Sequence, residues 1–141
     1  MLAAAQVPTV LVVDDESSVR GYMARVLKAD GYSVLEAQNG VEALSVLEND
    51  VTGKVLLVVT DVVMPHMDGM DLARNIASRP SAPPVLFVSG SHSEVPGPLL
   101  RKPFLPSDLS ALARDLLEVA IRVRADCMSP EPCDRSCLPI F

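Results

Sequence analysis

Thr9-Val10-Leu11-Val12-Val13-Asp14-Asp15 decides the fold: a short, unbroken apolar run rich in β-branched residues that ends abruptly in two acids. A strand with one face in water alternates apolar and polar residues. A strand covered on both faces does not, so this run is expected at the centre of a parallel sheet. Directly after it the period changes. Within Glu16 to Ala29, Val19, Tyr22, Met23, Val26 and Leu27 fall at i, i+3, i+4, i+7 and i+8, one helical stripe that Asp30-Gly31 stops.

The same alternation continues downstream. Tyr32 to Ala37 reads as a strand, Asn39-Gly40 as a turn, Val41 to Glu48 as a helix with Ala43, Leu44 and Leu47 inward, and Val55 to Thr60 as a second fully buried strand. Asp71 to Ser78 reads as a short helix, and Val85 to Val88 as a fourth strand after the breaker Pro80-Ser81-Ala82-Pro83-Pro84. Leu99-Leu100-Arg101 is the candidate fifth strand. In the last helix Leu109, Leu112, Ala113, Leu116, Leu117, Ala120 and Val123 keep helical spacing behind Ser107 as N-cap. Strands alternating with helices predict an α/β fold, a doubly wound five-stranded parallel sheet. The domain is expected over residues 9–125, after a short lead (1–8) and before a flexible tail (126–141).

Composition excludes several classes. The 141 residues are 49% hydrophobic and 21% charged, which suits one globular domain. Twelve basic against eighteen acidic residues give a net charge of -6, which argues against a nucleic-acid or anionic-membrane footprint. No basic-then-apolar leader and no apolar stretch of about 20 residues occurs, so a cytoplasmic setting is expected. Cys127, Cys133 and Cys137 are an odd set without metal-ligand spacing and are expected as free thiols in the tail.

In a doubly wound sheet the ligand site lies at the carboxyl ends of the strands. Those ends carry Asp14-Asp15-Glu16 after the first strand, Asp61 after the third, Ser89 after the fourth and Lys102 after the fifth. Taken alone, an acidic pair is a solvated strand end, Ser89 a turn residue and Lys102 a surface lysine. Their convergence on one edge changes the reading. Crowded carboxylates repel one another unless a cation joins them, and an all-oxygen set suits a hard ion, Mg2+. Phosphoryl transfer requires a nucleophile, a cation on the phosphoryl oxygens and fixed donors for the remainder. Asp61 is the candidate phospho-acceptor; Asp15 would hold the metal directly and Asp14 directly or through water. Lys102 would pair with the phosphoryl group, and Ser89 would hydrogen-bond one of its oxygens. His66 and His92 are single loop residues with no metal or relay role expected, and Met64, Met67 and Met70 are expected to pack.

At these residues the chain resembles the response-regulator receiver family of two-component signalling systems. Val12-Val13-Asp14-Asp15-Glu16 resembles its acidic-pair motif, and Asp61-Val62-Val63-Met64-Pro65-His66-Met67-Asp68-Gly69 its phospho-acceptor motif. Ser89-Gly90 resembles its hydroxyl position and Lys102-Pro103-Phe104 its Lys-Pro motif. The resemblance covers residues 9–123. It implies a flavodoxin-like (βα)5 fold, a histidine kinase or phosphotransfer protein as donor and Mg2+ as cofactor. It also implies the backbone carbonyl of Val63 as a metal ligand beside Asp14, Asp15 and Asp61, and a cis peptide before Pro103. No enzymatic turnover and no output domain are expected.

Two features depart from the family. Only Gly90 to Pro98 separates the fourth and fifth strands, and this stretch contains Pro96-Gly97-Pro98. A parallel crossover takes about a dozen residues or more, so the fourth helix is expected to be shortened or absent. The family also carries Tyr or Phe three residues before the lysine, where this chain has Leu99. Both departures put the output surface in question. Two other functions therefore compete with the phospho-acceptor: a pseudo-receiver that binds partners without phosphorylation, and a Mg2+-dependent aspartyl-phosphate hydrolase. The hydrolase would want an Asp two residues past the nucleophile, where Val63 stands. Val63 and Ser91 flank the site and are expected to tune phosphoryl lifetime through water access.

Overall fold

The computed structural model describes residues 7–50, 53–79, 82–90 and 94–127, with side chains of the last helix described to Val123. The elements run β1 (Thr9–Val13), α1 (Ser17–Ala29), β2 (Ser33–Ala37), α2 (Gly40–Glu48), β3 (Val55–Asp61), α3 (Gly69–Ala77), β4 (Val85–Ser89), β5 (Leu99–Arg101) and α4 (Pro106–Cys127). The five strands form one sheet in the order β2-β1-β3-β4-β5, and every pairing is parallel.

The apolar runs occupy the centre because each supplies both faces. Val10 and Val12 turn with Leu57, Val59, Leu86 and Val88 toward α1 and α4, where Met23, Leu27, Leu109, Ala113 and Leu117 meet them. Leu11 and Val13 turn the other way, with Val58, toward Ala43 and Leu47 of α2 and Leu72 and Ile76 of α3. Val55 joins that second face although it lies three residues before Val58. The register shifts between Thr9 and Val10, which pair with Val55 and Leu57, so Leu56 is an extra residue that re-phases the strand.

Local chemistry sets the helix ends. Gly31, at φ +100°, closes α1: its N–H donates to the Lys28 carbonyl at 2.9 Å and that of Tyr32 donates to the Leu27 carbonyl at 3.2 Å. Asn39 caps α2 by accepting from Glu42 N at 2.8 Å, and Asp68 caps α3 by accepting from Asp71 N at 2.8 Å. The last helix corrects one expectation. Ser107 is not the N-cap, because the helix already begins at Pro106, whose fixed φ and missing N–H suit a first helical position. The Asp108 carboxylate accepts from Leu105 N at 3.2 Å in place of a cap hydroxyl. The same helix runs through Cys127, two residues into the stretch read as tail; Cys133, Cys137 and the rest of that stretch lie outside the described residues.

Among the described residues no helix joins β4 to β5. The face of β4 beside α3 is covered instead by Pro96-Gly97-Pro98, with Gly97 against the Phe87 ring, and Phe87 is 1% exposed. A groove of about 400 Å3 remains between this loop and α3, lined by Ala73, Ile76, Pro84, Phe87 and Pro96. None of the described helices is long and apolar enough to cross a membrane.

Candidate functional site

β1 and β3 are neighbours, with Val13 level with Thr60, so the residues just past that level, Asp14 and Asp61, emerge side by side at the carboxyl edge. One carboxylate oxygen from each of Asp14, Asp15 and Asp61 lies within 4.8 Å of the others. Asp14 is fully buried, while Asp15 is exposed and Asp61 is between the two. Among the described residues Lys102 reaches this cluster, its Nζ lying 3.4 Å from Asp14 Oδ2 and 3.6 Å from Asp61 Oδ2. The lysine arrives from β5, where the Lys102 N–H donates to the Ser89 carbonyl at 2.9 Å. The peptide between Lys102 and Pro103 is cis, as the resemblance implies.

Asp14 and Asp61 are held by backbone groups. Asp14 N donates to the Ala37 carbonyl at 3.2 Å, and Asp14 Oδ1 accepts from Glu16 N at 2.9 Å, which turns the chain into α1. Asp61 Oδ1 accepts from Val62 N at 2.9 Å, and the Asp61 carbonyl accepts from the Thr60 hydroxyl at 2.9 Å. The acceptor loop then folds back, Gly69 N donating to the Val62 carbonyl at 2.7 Å. Burial raises the Asp61 carboxyl above its ordinary value of 3.8; the neighbouring Lys102 charge and the Val62 N–H oppose the rise, and Asp14 and Asp15 add to it. An anion that its surroundings disfavour, beside two further carboxylates and with oxygen donors only, fits a hard divalent cation.

Ser89 is buried at the end of β4, level with Arg101. Val63, two residues past Asp61, is 59% exposed. His66 is an exposed loop residue with φ 70°, in the left-handed region, and His92 and Ser91 lie outside the described residues. Met64 and Met67 pack with the core on the α2–α3 face.

Two residues near the cluster are invisible to motif reading. Arg20 Nη1 donates to the Asp14 carbonyl at 2.8 Å, and Arg20 Nε donates to Glu36 Oε1 at 3.1 Å. The one available signal was electrostatic, a cation in the first turn of a helix, where the amide end disfavours it.

The response regulator receiver domain family matches residues 10–97, more than half of the chain, and the chain belongs to that family. The sensor kinase CckA of Brucella abortus (strain 2308) is 40% identical in an alignment 119 positions long that covers 78% of this chain and 12% of that protein. The response regulator MprA of Mycobacterium sp. (strain KMS) is 38% identical in an alignment 117 positions long that covers 77% of this chain and 50% of that protein. The chain thus spans half or less of the length of these curated relatives. Among solved structures, the receiver domain from hybrid histidine kinase CckA is similar at a TM-score of 0.69 and 38% identity, over 77% of this chain and 98% of that one.

Proposed function

We propose that this chain is a phospho-acceptor receiver module of a cytoplasmic two-component phosphorelay, phosphorylated on Asp61 by a histidine kinase or phosphotransfer protein. The observation that carries it is the approach of Lys102 Nζ to both Asp14 and Asp61, at 3.4 and 3.6 Å, over a cluster of three carboxylates. An Asp61 oxygen attacks the phosphorus of a phosphoimidazole and forms a P–O bond. The P–N bond breaks, its electron pair returning to the imidazole, which is protonated at its other nitrogen and leaves neutral. Asp14, Asp15, Asp61 and the Val63 carbonyl would hold Mg2+. When bound, that ion offsets the negative charge gathered on the phosphoryl oxygens. Lys102 then exchanges its carboxylate contacts for a phosphoryl oxygen, and the Ser89 hydroxyl donates to another.

Incubation with acetyl phosphate and Mg2+, read by intact mass, tests the reading. A single phospho-adduct that disappears in Asp61→Asn supports it, and an unmodified wild-type chain sinks it. The β4–β5 side, where a short loop and a groove beside α3 stand among the described residues in place of a helix, favours a second reading, a receiver that binds partners without phosphorylation, and that unmodified chain is its signature. Turnover of the donor without an adduct would point to a hydrolase. With no helix between β4 and β5 among the described residues and with Leu99 three residues before Lys102, the usual rearrangement of that side is expected to be absent or altered. Amide NMR with and without beryllofluoride tests this: large shifts along residues 94–101 like those of an ordinary switch would overturn it.

A further inference from the structure

Arg20 stands where a helix disfavours a cation. It lies in the first turn of α1, whose exposed amides carry partial positive charge, and that turn contains no acid. The guanidinium is nevertheless fixed at two nitrogens. Nη1 donates to the Asp14 carbonyl oxygen at 2.8 Å, and Nε donates to Glu36 Oε1 on β2 at 3.1 Å. Its side chain is only 18% exposed.

The carbonyl it holds belongs to the peptide unit joining Asp14 to Asp15. Asp14 is anchored separately, through its N–H on Ala37 and its carboxylate on Glu16 N. Asp15 is exposed, and the plane of that peptide sets the backbone from which its side chain starts. Turning the plane would leave Asp14 in place and carry Asp15 away from Asp61. A bare guanidinium here would also repel a divalent cation; Glu36, in contact with Nε, cancels that charge. The pair therefore supplies geometry at little electrostatic expense to the site.

We propose that Arg20, oriented by Glu36, is a positioning residue for the cation site: it fixes the turn that sets Asp15 beside Asp14 and Asp61. This rests on the reading that the three carboxylates take Mg2+. A fork-shaped donor is required, because two acceptors, one in the turn after β1 and one on β2, must be met at once, and an ammonium on a flexible stem cannot hold both in one plane. Partly exposed ion pairs add little to stability, so the effect belongs in metal affinity rather than in the melting temperature.

Isothermal titration of Mg2+ into the whole chain decides, because the sign of the effect differs between the two explanations. If Arg20 acted only as a nearby charge, Arg20→Gln would tighten binding of a cation. If it positions the turn, Arg20→Gln weakens binding roughly 10-fold, as removal of a group that orients a metal ligand does. The metal-free melting temperature should then barely move. Arg20→Lys should recover only part of the affinity, and Glu36→Gln should weaken binding by a smaller factor. Wild-type or tighter affinity in Arg20→Gln, with Asp15→Asn weakened, overturns the positioning role and leaves the cation site standing. Absence of Mg2+ binding by the wild type, or no effect of Asp15→Asn, overturns the cation site and this inference with it. Should Arg20→Gln fail to fold, unchanged affinity in both Arg20→Lys and Glu36→Gln overturns the proposal.

Discussion

Two loops at opposite edges of the sheet are built to different tolerances. The acceptor loop after β3 folds back on Asp61 so closely that a Cβ at Gly69 would stand 2.3 Å from the Asp61 carbonyl oxygen and 3.0 Å from Val62 Cα. The loop before β5 lies over Phe87 at ordinary contact, a Cβ at Gly97 meeting the ring at 3.4 Å and the Val85 carbonyl at 3.5 Å. The first loop over-determines one geometry, that of the nucleophile. The second covers a hydrophobic residue and leaves a groove beside α3. At the acceptor loop main chain meets main chain below contact distance, whereas the loop before β5, tied to β4 by the Phe87 N–H donating to the Pro98 carbonyl at 2.9 Å, still has room for a methyl group at Gly97.

The largest test of that contrast is Gly69→Ala. The atoms it strikes are main chain in a strand end and cannot move as a side chain can, so the loop must open. A destabilisation of about 2–3 kcal/mol is expected, at the upper end of overpacking costs, together with loss of phosphoryl incorporation at Asp61. Urea unfolding gives the first and intact mass the second. A change below about 0.5 kcal/mol, the range of an ordinary surface substitution, would show that the acceptor loop is no tighter than its counterpart.

A smaller effect of opposite sign is expected from Asp61→Asn. The raised carboxyl pKa, caused first by burial and then by the neighbouring acids, means that the folded chain holds this proton more tightly than the unfolded chain does. The stability so gained is present below the ordinary value of 3.8 and is lost as pH rises through the raised value. At neutral pH the ionised group therefore weighs against the fold. Asn keeps the oxygen that accepts from Val62 N and removes the charge, so the metal-free variant should be more stable by about 1 kcal/mol, a common gain where a functional group is removed. Below pH 3.8 the gain should vanish. Saturating Mg2+ should narrow the difference at neutral pH or reverse it, because the wild type gains more from the ion. Thermal melts across pH, with and without Mg2+, check each part, and a less stable variant in metal-free neutral buffer would contradict the electrostatic account.

How much of this was legible in the sequence depends on the range of the interaction. Thr9–Val13 and Val55–Thr60 announce central strands because double-sided burial leaves almost no polar positions in them, and the acids that follow mark the site because topology brings parallel strand ends together. A fourth helix shortened or absent was legible in a span too short to hold a full one, and among the described residues none joins β4 to β5. The start of α4 was misplaced by one turn chemistry overriding another: Ser107 is a good cap, but Pro106 before it is a better first residue. The bulge at Leu56 was hidden, since an extra residue in an all-apolar run leaves no break in the pattern. Arg20 and Glu36 were hidden too, because their pairing spans 16 positions and depends on how α1 leans over β2.

The smallest effect lies at the tolerant loop. Gly97 does not have a positive φ, unlike Gly31 and Gly53, so alanine there escapes the left-handed penalty. The added methyl would lie in van der Waals contact with Phe87 and at the rim of the groove. Replacing such a glycine narrows the unfolded ensemble and stabilises by about 0.4–1 kcal/mol. Gly97→Ala should therefore raise the urea midpoint at an unchanged slope, the signature of altered stability without altered compactness, and leave phosphoryl incorporation at the wild-type level. Opposite signs for Gly97→Ala and Gly69→Ala would give the two loops their measured difference. A loss above about 1 kcal/mol at Gly97 would instead mean that the short crossover clamps β4 as firmly as the acceptor loop clamps Asp61. The β4–β5 side would then be a rigid face, with less freedom to rearrange than its open groove suggests.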